Sequence, residues 1–222
     1  MNKNSSTINN WLEASRLRTL PLALAAVGMG NLLAYVEGQF QFLIFFLTIL
    51  TALSLQILSN FANDYGDSKH GADHSGRTGP QRAVQSGAIS SQSMRVGMAL
   101  SAAFAFIFGV LLLWTSFSDH PADAFPLFVV GLLAIAAAYY YTNGKRPYGY
   151  MALGDASVFL FFGVVAVYGG YYLHNPCLSF YPILPSIALG LWSTAVLNAN
   201  NMRDMESDRV ASKFTIPIAI GL

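Results

Sequence analysis

Six stretches of this chain, residues 19–36, 41–62, 95–117, 124–142, 150–173 and 181–201, are each long and largely apolar. At 1.5 Å per residue, about 20 apolar residues wound as a helix cover the roughly 30 Å hydrocarbon core of a bilayer. Inside lipid every backbone amide must find its partner within the protein, which leaves helices or a closed barrel. Barrel strands are about ten residues long and alternate apolar with polar positions, and these runs do neither. Charged residues form only 10% of the chain, against about 25% in a soluble domain. The predicted fold class is therefore all-α: a polytopic bundle of transmembrane helices, forming a single domain over residues 1–222.

The few charges are sorted by loop. Lys3, Arg16 and Arg18 precede the first span, and Lys69, Arg77, Arg82 and Arg95 lie between the second and third. Lys145 and Arg146 lie between the fourth and fifth, and Arg203, Arg209 and Lys213 follow the sixth. The opposite loops carry Glu37, Asp119 and Asp123 but no Lys or Arg. By the positive-inside rule the basic side, with both termini, faces the cytoplasm. Residues Met1 to Ser15 lack an apolar core, so no cleaved signal peptide is expected. Cys177 is the single cysteine, which excludes a disulfide framework and a thiolate metal cluster. The expected surroundings are membrane lipid, with no nucleic-acid partner.

Two spans end in a similar polar signature, a weak internal repeat. At helical pitch Asn200, Asp204 and Asp208 fall at i, i+4 and i+8 on one face. Asn60 and Asp64 are also four apart, Asp67 lies three further on, and Asp73 follows. Both clusters fall on the cytoplasmic side. Mg²⁺ takes hard oxygen ligands, usually one or two carboxylates completed by phosphate oxygens and water. Asp64 with Asp67, and Asp204 with Asp208, form such a pair of sites, and Arg82, Lys145 and Arg203 are placed to take further phosphate charge. Metal ions on a leaving diphosphate stabilise the charge that develops as its bond breaks. An apolar bundle beneath houses a long hydrocarbon tail. The pattern points to a lipid diphosphate as substrate.

The remaining features are read around that site. Trp11 and Leu12 suit an interfacial approach helix, with Glu13 and Arg16 facing water. Arg16 and Arg18 are either positive anchors or cations facing a polyanion in the cytoplasmic mouth. The polar loop from Tyr65 to Met94, with Gly66, Gly71, Gly76, Gly79 and Gly87 as breakers, suits a cap over a charged ligand. His70 and His74 read as solvated loop histidines. Tyr139, Tyr140 and Tyr141 read as an aromatic belt, and Asp155 as an interface residue or a partner of the acid clusters. Gly28 and Gly30 suit close helix packing. The aromatic run from Phe159 to Tyr172 reads as lipid-facing and packing surface.

With these residues in view, the chain resembles the UbiA-type intramembrane prenyltransferases. It is most similar to the branch that prenylates 1,4-dihydroxy-2-naphthoate in menaquinone biosynthesis. Asn60-Phe-Ala-Asn63-Asp64-Tyr65-Gly66-Asp67 is similar to the first aspartate-rich motif, and Asn200-Asn201-Met-Arg203-Asp204-Met-Glu206-Ser-Asp208 to the second. Tyr141-Thr-Asn-Gly-Lys145 resembles a Tyr-x-x-x-Lys loop motif. Arg16-Leu-Arg18-Thr19-Leu20-Pro21, Gly79-Pro80-Gln-Arg82-Ala-Val and Arg146-Pro-Tyr-Gly-Tyr-Met-Ala-Leu-Gly154-Asp155 resemble this branch in particular.

The resemblance implies Mg²⁺ held by Asp64, Asp67, Asp204 and Asp208. It implies polyprenyl diphosphate bound near Asn60, Arg82, Tyr141, Lys145, Asn200 and Arg203. The implied reaction joins the polyprenyl group to 1,4-dihydroxy-2-naphthoate with loss of CO₂ and diphosphate, giving demethylmenaquinone. The implied location is the bacterial inner (plasma) membrane, with the site facing the cytoplasm. Two departures stand out. The family usually has nine spans, so a truncated C-terminus, an open cavity and lower stability are expected. Lys213-Phe-Thr-Ile-Pro-Ile-Ala-Ile lacks a basic residue usual in that stretch. A prenyltransferase for 4-hydroxybenzoate or another aromatic acceptor, a cation-coupled transporter and an inactive fragment remain the alternatives.

Overall fold

The computed structural model describes residues 7–71 and 82–221. Lys3, Asp73, His74, Gly76, Arg77, Gly79 and Pro80, singled out above, lie outside them. Helix α1 (Thr7–Ala14) leads through a tight turn into α2 (Leu20–Val36), followed by α3 (Phe42–His70), α4 (Ser91–Ser116) and α5 (Ala124–Tyr140). The fifth span begins as α6 (Gly154–Val158), is wound as a π-helix over Phe159–Tyr168, and ends as α7 (Gly169–Tyr172). Then come α8 (Ile183–Arg203), α9 (Met205–Val210) and α10 (Ile216–Ala219). Six of these helical runs have the length and apolar character to cross a bilayer, as an integral membrane protein requires. Among the described residues there is no β-strand, and the sheet-like pairing is one isolated bridge between Met151 and Phe214.

The helices form an arc. Helices α3, α4 and α5 pack on one another, α2 joins α3 to the fifth span, and the fifth span packs on α8. Apolar contact alone gives helices in lipid little reason to associate, so close backbone approach has to supply it. Gly30 shows this: a Cβ there would stand 2.2 Å from the carbonyl oxygen of Val167. Gly163 does the same against α8, where a Cβ would stand 2.6 Å from the Ser186 carbonyl oxygen. Gly28, by contrast, meets nothing within 4 Å, so of the two glycines in the first span only Gly30 serves packing.

The structure corrects several sequence expectations. Helix α3 runs through Tyr65, Gly66 and Asp67 instead of ending near residue 62, and spans 29 residues. At 1.5 Å per residue that is about 44 Å, longer than the roughly 30 Å hydrocarbon core. Gly66 does not break the helix, because it lets the Thr142 loop approach: a Cβ would lie 2.5 Å from the Thr142 carbonyl oxygen. The true stop is Gly71, at φ 75°, the left-handed C-terminal position that glycine occupies without strain. Trp11 also has a packing role within the bundle. It wedges between α3 and α4, edge-on to Phe61 with centroids 5.3 Å apart. His70 is a helix-end tie and not a solvated loop residue, its ring nitrogens meeting the carbonyl oxygens of Gly66 (2.9 Å) and Gly144 (3.2 Å). Asp155 accepts a hydrogen bond from the Asn198 amide. It is a tie between the fifth span and α8.

At the opposite end of the bundle His174 ties the fifth span to the first two. Its Nδ1 accepts the Gln41 N–H at 3.1 Å, so Nε2 carries the proton and donates to Asn31 Oδ1 at 2.6 Å. Burial pushes the imidazole pKa down to about 4. An unfolded histidine titrates near pH 6.5, so between the two values the unfolded chain binds the extra proton. This contribution to stability is whole above about pH 6.5 and is lost as pH falls toward 4. The melting temperature in detergent should therefore drop between pH 7 and pH 4.5, and His174→Gln should flatten that drop. An identical pH slope in the variant would contradict the assignment.

Candidate active site

A cavity of about 650 Å³ runs along the inside of the arc. Its depth is apolar, with Val27, Leu55, Phe106, Phe128, Phe161 and Phe162 among its walls. Its mouth gathers three carboxylates, Asp67, Asp204 and Asp208, and five cations, Arg16, Arg18, Arg82, Arg203 and Lys213. The cationic excess suits a ligand carrying more than one negative charge. An apolar channel ending in a charged mouth suits a molecule with a long hydrocarbon body and a polyanionic head.

Each acid reaches the mouth differently. On α3 the face toward the cavity is Asn60, Asn63 and Asp67, spaced i, i+3 and i+7 as one helical stripe. Asp64 lies off that stripe. Its two carboxylate oxygens accept the backbone N–H groups of Ala83 and Val84, each at 3.0 Å. Asp64 thus fastens the loop that carries Arg82 to the mouth. Asn60 is fixed by donating to the Ser15 carbonyl oxygen at 2.8 Å and the Thr19 hydroxyl at 3.1 Å. Those bonds hold the turn that presents Arg16, itself in left-handed backbone at φ 51°. The structure places both Arg16 and Arg18 on the mouth, which favours the polyanion reading over simple anchoring.

The second cluster keeps its predicted face across a break. Helix α8 ends at Arg203 and Asp204 caps it, yet the Asp204 N–H still bonds to the Asn200 carbonyl oxygen (3.0 Å) and Asp208 N–H to that of Asp204 (2.8 Å). Asn200, Asp204 and Asp208 all line the cavity. Arg203 grips Asp204 with two parallel bonds of 2.8 Å, the fork geometry that guanidinium groups make with carboxylates. Asp208 is paired to Lys213 at 3.3 Å. Burial nonetheless pushes its carboxyl above the usual range, with Lys213 opposing.

Tyr141 lines the cavity, edge-on to Tyr148. Thr142 and Asn143 dock its loop on α3 by donating to the Ala62 carbonyl oxygen at 2.9 and 3.0 Å. Lys145 is exposed and does not line the cavity. The residues that sequence reasoning left without a site role are Tyr150 and Lys213. Tyr150 donates to Asp67 at 2.8 Å and lies under the Lys213 ammonium, 5.6 Å from the ring centroid. Their signal was present, in the Tyr-Gly-Tyr turn and in a lone lysine after the second motif, but only the fold brings them together.

The donors suit a hard divalent cation. Asp208 Oδ2 is buried without a hydrogen-bond partner, and Asp67 and Asp204 share its cavity. Among the described residues no three acids or imidazoles converge closely enough to enclose an ion alone. Mg²⁺ ordinarily completes its shell with phosphate oxygens and water, so the residues fit a cation that arrives with a diphosphate.

The pattern of the UbiA prenyltransferase family matches residues 22–222. The chain is 45% identical to "1,4-dihydroxy-2-naphthoate octaprenyltransferase" of Haemophilus influenzae over 95% of its own length and 69% of that protein's. Identity to the Escherichia coli protein of the same name is also 45%, over 95% and 68%, and to that of Mycobacterium tuberculosis 36%, over 95% and 70%. No solved structure matches the chain significantly.

Asp64 and Asp67 make separable predictions. Asp64→Ala should speed amide exchange at Ala83 and Val84 by about tenfold or more, since a hydrogen bond to a charged group contributes roughly 1.5–3 kcal/mol. Asp67→Ala should leave those amides protected. Equal exchange in the two variants would contradict the clamp.

Proposed function

Because the chain belongs to the UbiA prenyltransferase family, we propose that it transfers a polyprenyl group from polyprenyl diphosphate to 1,4-dihydroxy-2-naphthoate. The observation that carries the acceptor is the 45% identity, over 95% of this chain, to relatives bearing that activity in their name. The cavity supports the donor: its apolar depth accommodates the prenyl chain and its cationic mouth the diphosphate.

In the proposed reaction the bond between the prenyl C1 and the diphosphate oxygen breaks, and both electrons leave with the diphosphate. C1 then bonds to the ring carbon bearing the carboxyl group. The carboxylate then leaves as CO₂ and its bonding electrons return to the ring, leaving demethylmenaquinone at its quinol level. Arg16, Arg18, Arg82 and Arg203 hold the departing negative charge at the mouth, where low-dielectric walls strengthen the attraction. Asp67, Asp204 and Asp208 would hold Mg²⁺, with Asp64 fastening the loop of Arg82 beside them. Bound there, Mg²⁺ supplies Lewis-acid stabilisation of the leaving diphosphate. The apolar walls contributed by Phe106, Phe128 and Phe161 keep water from a reactive allylic centre.

Membranes carrying the chain should form radiolabelled demethylmenaquinone from labelled polyprenyl diphosphate. The product should vanish with EDTA and fall at least a hundredfold in Asp204→Ala, about the loss expected when one charge-stabilising group is removed. Transfer to 4-hydroxybenzoate but not to the naphthoate would replace the acceptor.

The inner membrane, with the mouth on the cytoplasmic side, is part of the same proposal and is supported by the one-sided placement of Lys and Arg. Cys177 is exposed in the loop between the fifth and sixth spans. In intact spheroplasts a membrane-impermeant maleimide should label Cys177. Lys145→Cys, in a Cys177→Ser background, should react only after permeabilisation. The reverse pattern would invert the topology.

A further inference from the structure

The two acidic motifs come from helices four spans apart, yet the lining of one cavity requires them at one fixed separation. Three elements meet at the place where they are joined. The end of α3 contributes Asp67, the turn after α5 contributes Tyr150, and the segment after α9 contributes Lys213. The Tyr150 hydroxyl donates to Asp67 Oδ1 at 2.8 Å. The Lys213 ammonium lies over the Tyr150 ring, 5.6 Å from its centroid, and pairs with Asp208 at 3.3 Å. The backbone repeats the connection: Phe214 N–H bonds to the Tyr150 carbonyl oxygen at 3.1 Å, and Ala152 N–H to that of Phe214 at 2.8 Å.

This junction is held under strain. Ala152 at φ 56° and Ser212 at φ 55° both occupy left-handed backbone, one on each side of the bridge. Residues other than glycine seldom adopt that region unless their surroundings impose it. His70 braces the other side of the ring, its centroid 5.4 Å from that of Tyr150, while itself tied to Gly66 and Gly144. Tyr150 is 8% exposed, so its ring is enclosed by these contacts.

We propose that Tyr150 is a positioning residue that locks the two acidic motifs together: its hydroxyl aims Asp67, and its ring and backbone hold the segment whose Lys213 aims Asp208. The hydroxyl engages one oxygen of Asp67 and so fixes the carboxyl group at the cavity that it lines. The ring gives Lys213 a cation–π seat, which keeps its charge beside Asp208. This inference rests on the reading of the cavity as the prenyl-transfer site, and it adds the device that sets the spacing between its two halves.

The test uses the full chain in detergent. Mn²⁺ is titrated by electron paramagnetic resonance with inorganic diphosphate present, alongside steady-state prenyl transfer. Tyr150→Phe keeps the ring and removes the bond to Asp67. It should weaken Mn²⁺ binding by about tenfold, the scale of one hydrogen bond to a charged group. kcat should fall in proportion, while KM for 1,4-dihydroxy-2-naphthoate stays within about twofold and the melting temperature is preserved. Tyr150→Leu, which also removes the seat of Lys213, should weaken Mn²⁺ binding further. Tyr168→Phe serves as control, since that hydroxyl donates to Ser179 at the far end of the bundle, and should bind Mn²⁺ as the wild type does.

Wild-type Mn²⁺ binding in Tyr150→Phe overturns the proposal, as does a wild-type chain that fails to bind Mn²⁺ with diphosphate. A wild type that binds both but transfers no prenyl group to the naphthoate sinks the acceptor reading. In that case the ratio of Mn²⁺ affinities between wild type and Tyr150→Phe still decides the role of Tyr150.

Discussion

The exclusion of charge from hydrocarbon organises this molecule. An ionised side chain at the centre of a bilayer costs several kcal/mol even after it bends toward water. The described ionisable groups therefore collect at the ends of the helices, and the apolar lengths between them are left to pack by backbone approach at points such as Gly30 and Gly163. One end receives the acids and arginines of the mouth. The other receives His174, neutral and hydrogen-bonded on both nitrogens to Gln41 and Asn31. The cavity between these ends is apolar because the membrane demanded apolar helices, and it becomes a channel because the helices form an arc.

Charge gathered at a helix end still has to be aimed. Side chains at the mouth are seldom left to solvent: Arg203 holds Asp204 by a two-pronged bond, Lys213 holds Asp208, and Tyr150 holds Asp67. Asp64 contributes indirectly, by fixing the loop of Arg82 through two backbone amides. This pre-organisation matters for a reaction in which the protein's main contribution is electrostatic, since groups already oriented need not reorganise as charge develops.

The all-α bundle, its six spans and the convergence of two polar helix ends were legible in the sequence, because apolar run length and helical spacing follow directly from backbone geometry. The membrane-facing side of the pattern was less exact at its ends. Residues from Tyr65 onward read as loop, but Tyr65 and Asp67 are buried against neighbouring elements, and tertiary contact carried the helix on to Gly71. The stripe on α3 also shifted by one residue, from Asp64 to Asn63, since spacings of three and four are equally helical and only a partner decides between them. Tyr150, Lys213 and His70 were illegible as a set. Their meeting depends on a turn after α5 and a segment after α9 pairing across more than 60 positions of sequence, for which no local pattern exists. The π-helical winding of Phe159–Tyr168 was likewise hidden in a run that reads only as apolar and aromatic.

In the proposed complex the prenyl chain lies inside the arc with its diphosphate at the Asp67–Asp204–Asp208 mouth. The most direct measurement is photo-crosslinking with a polyprenyl diphosphate that carries a benzophenone along its chain, followed by peptide mapping. Cavity walls on α4, α5 and the fifth span should be labelled, at residues such as Phe106, Phe128 and Phe161, and excess unlabelled diphosphate substrate should abolish the labelling. Labelling confined to outward-facing residues such as Trp114 and Trp192, which are 76% and 69% exposed, would contradict it.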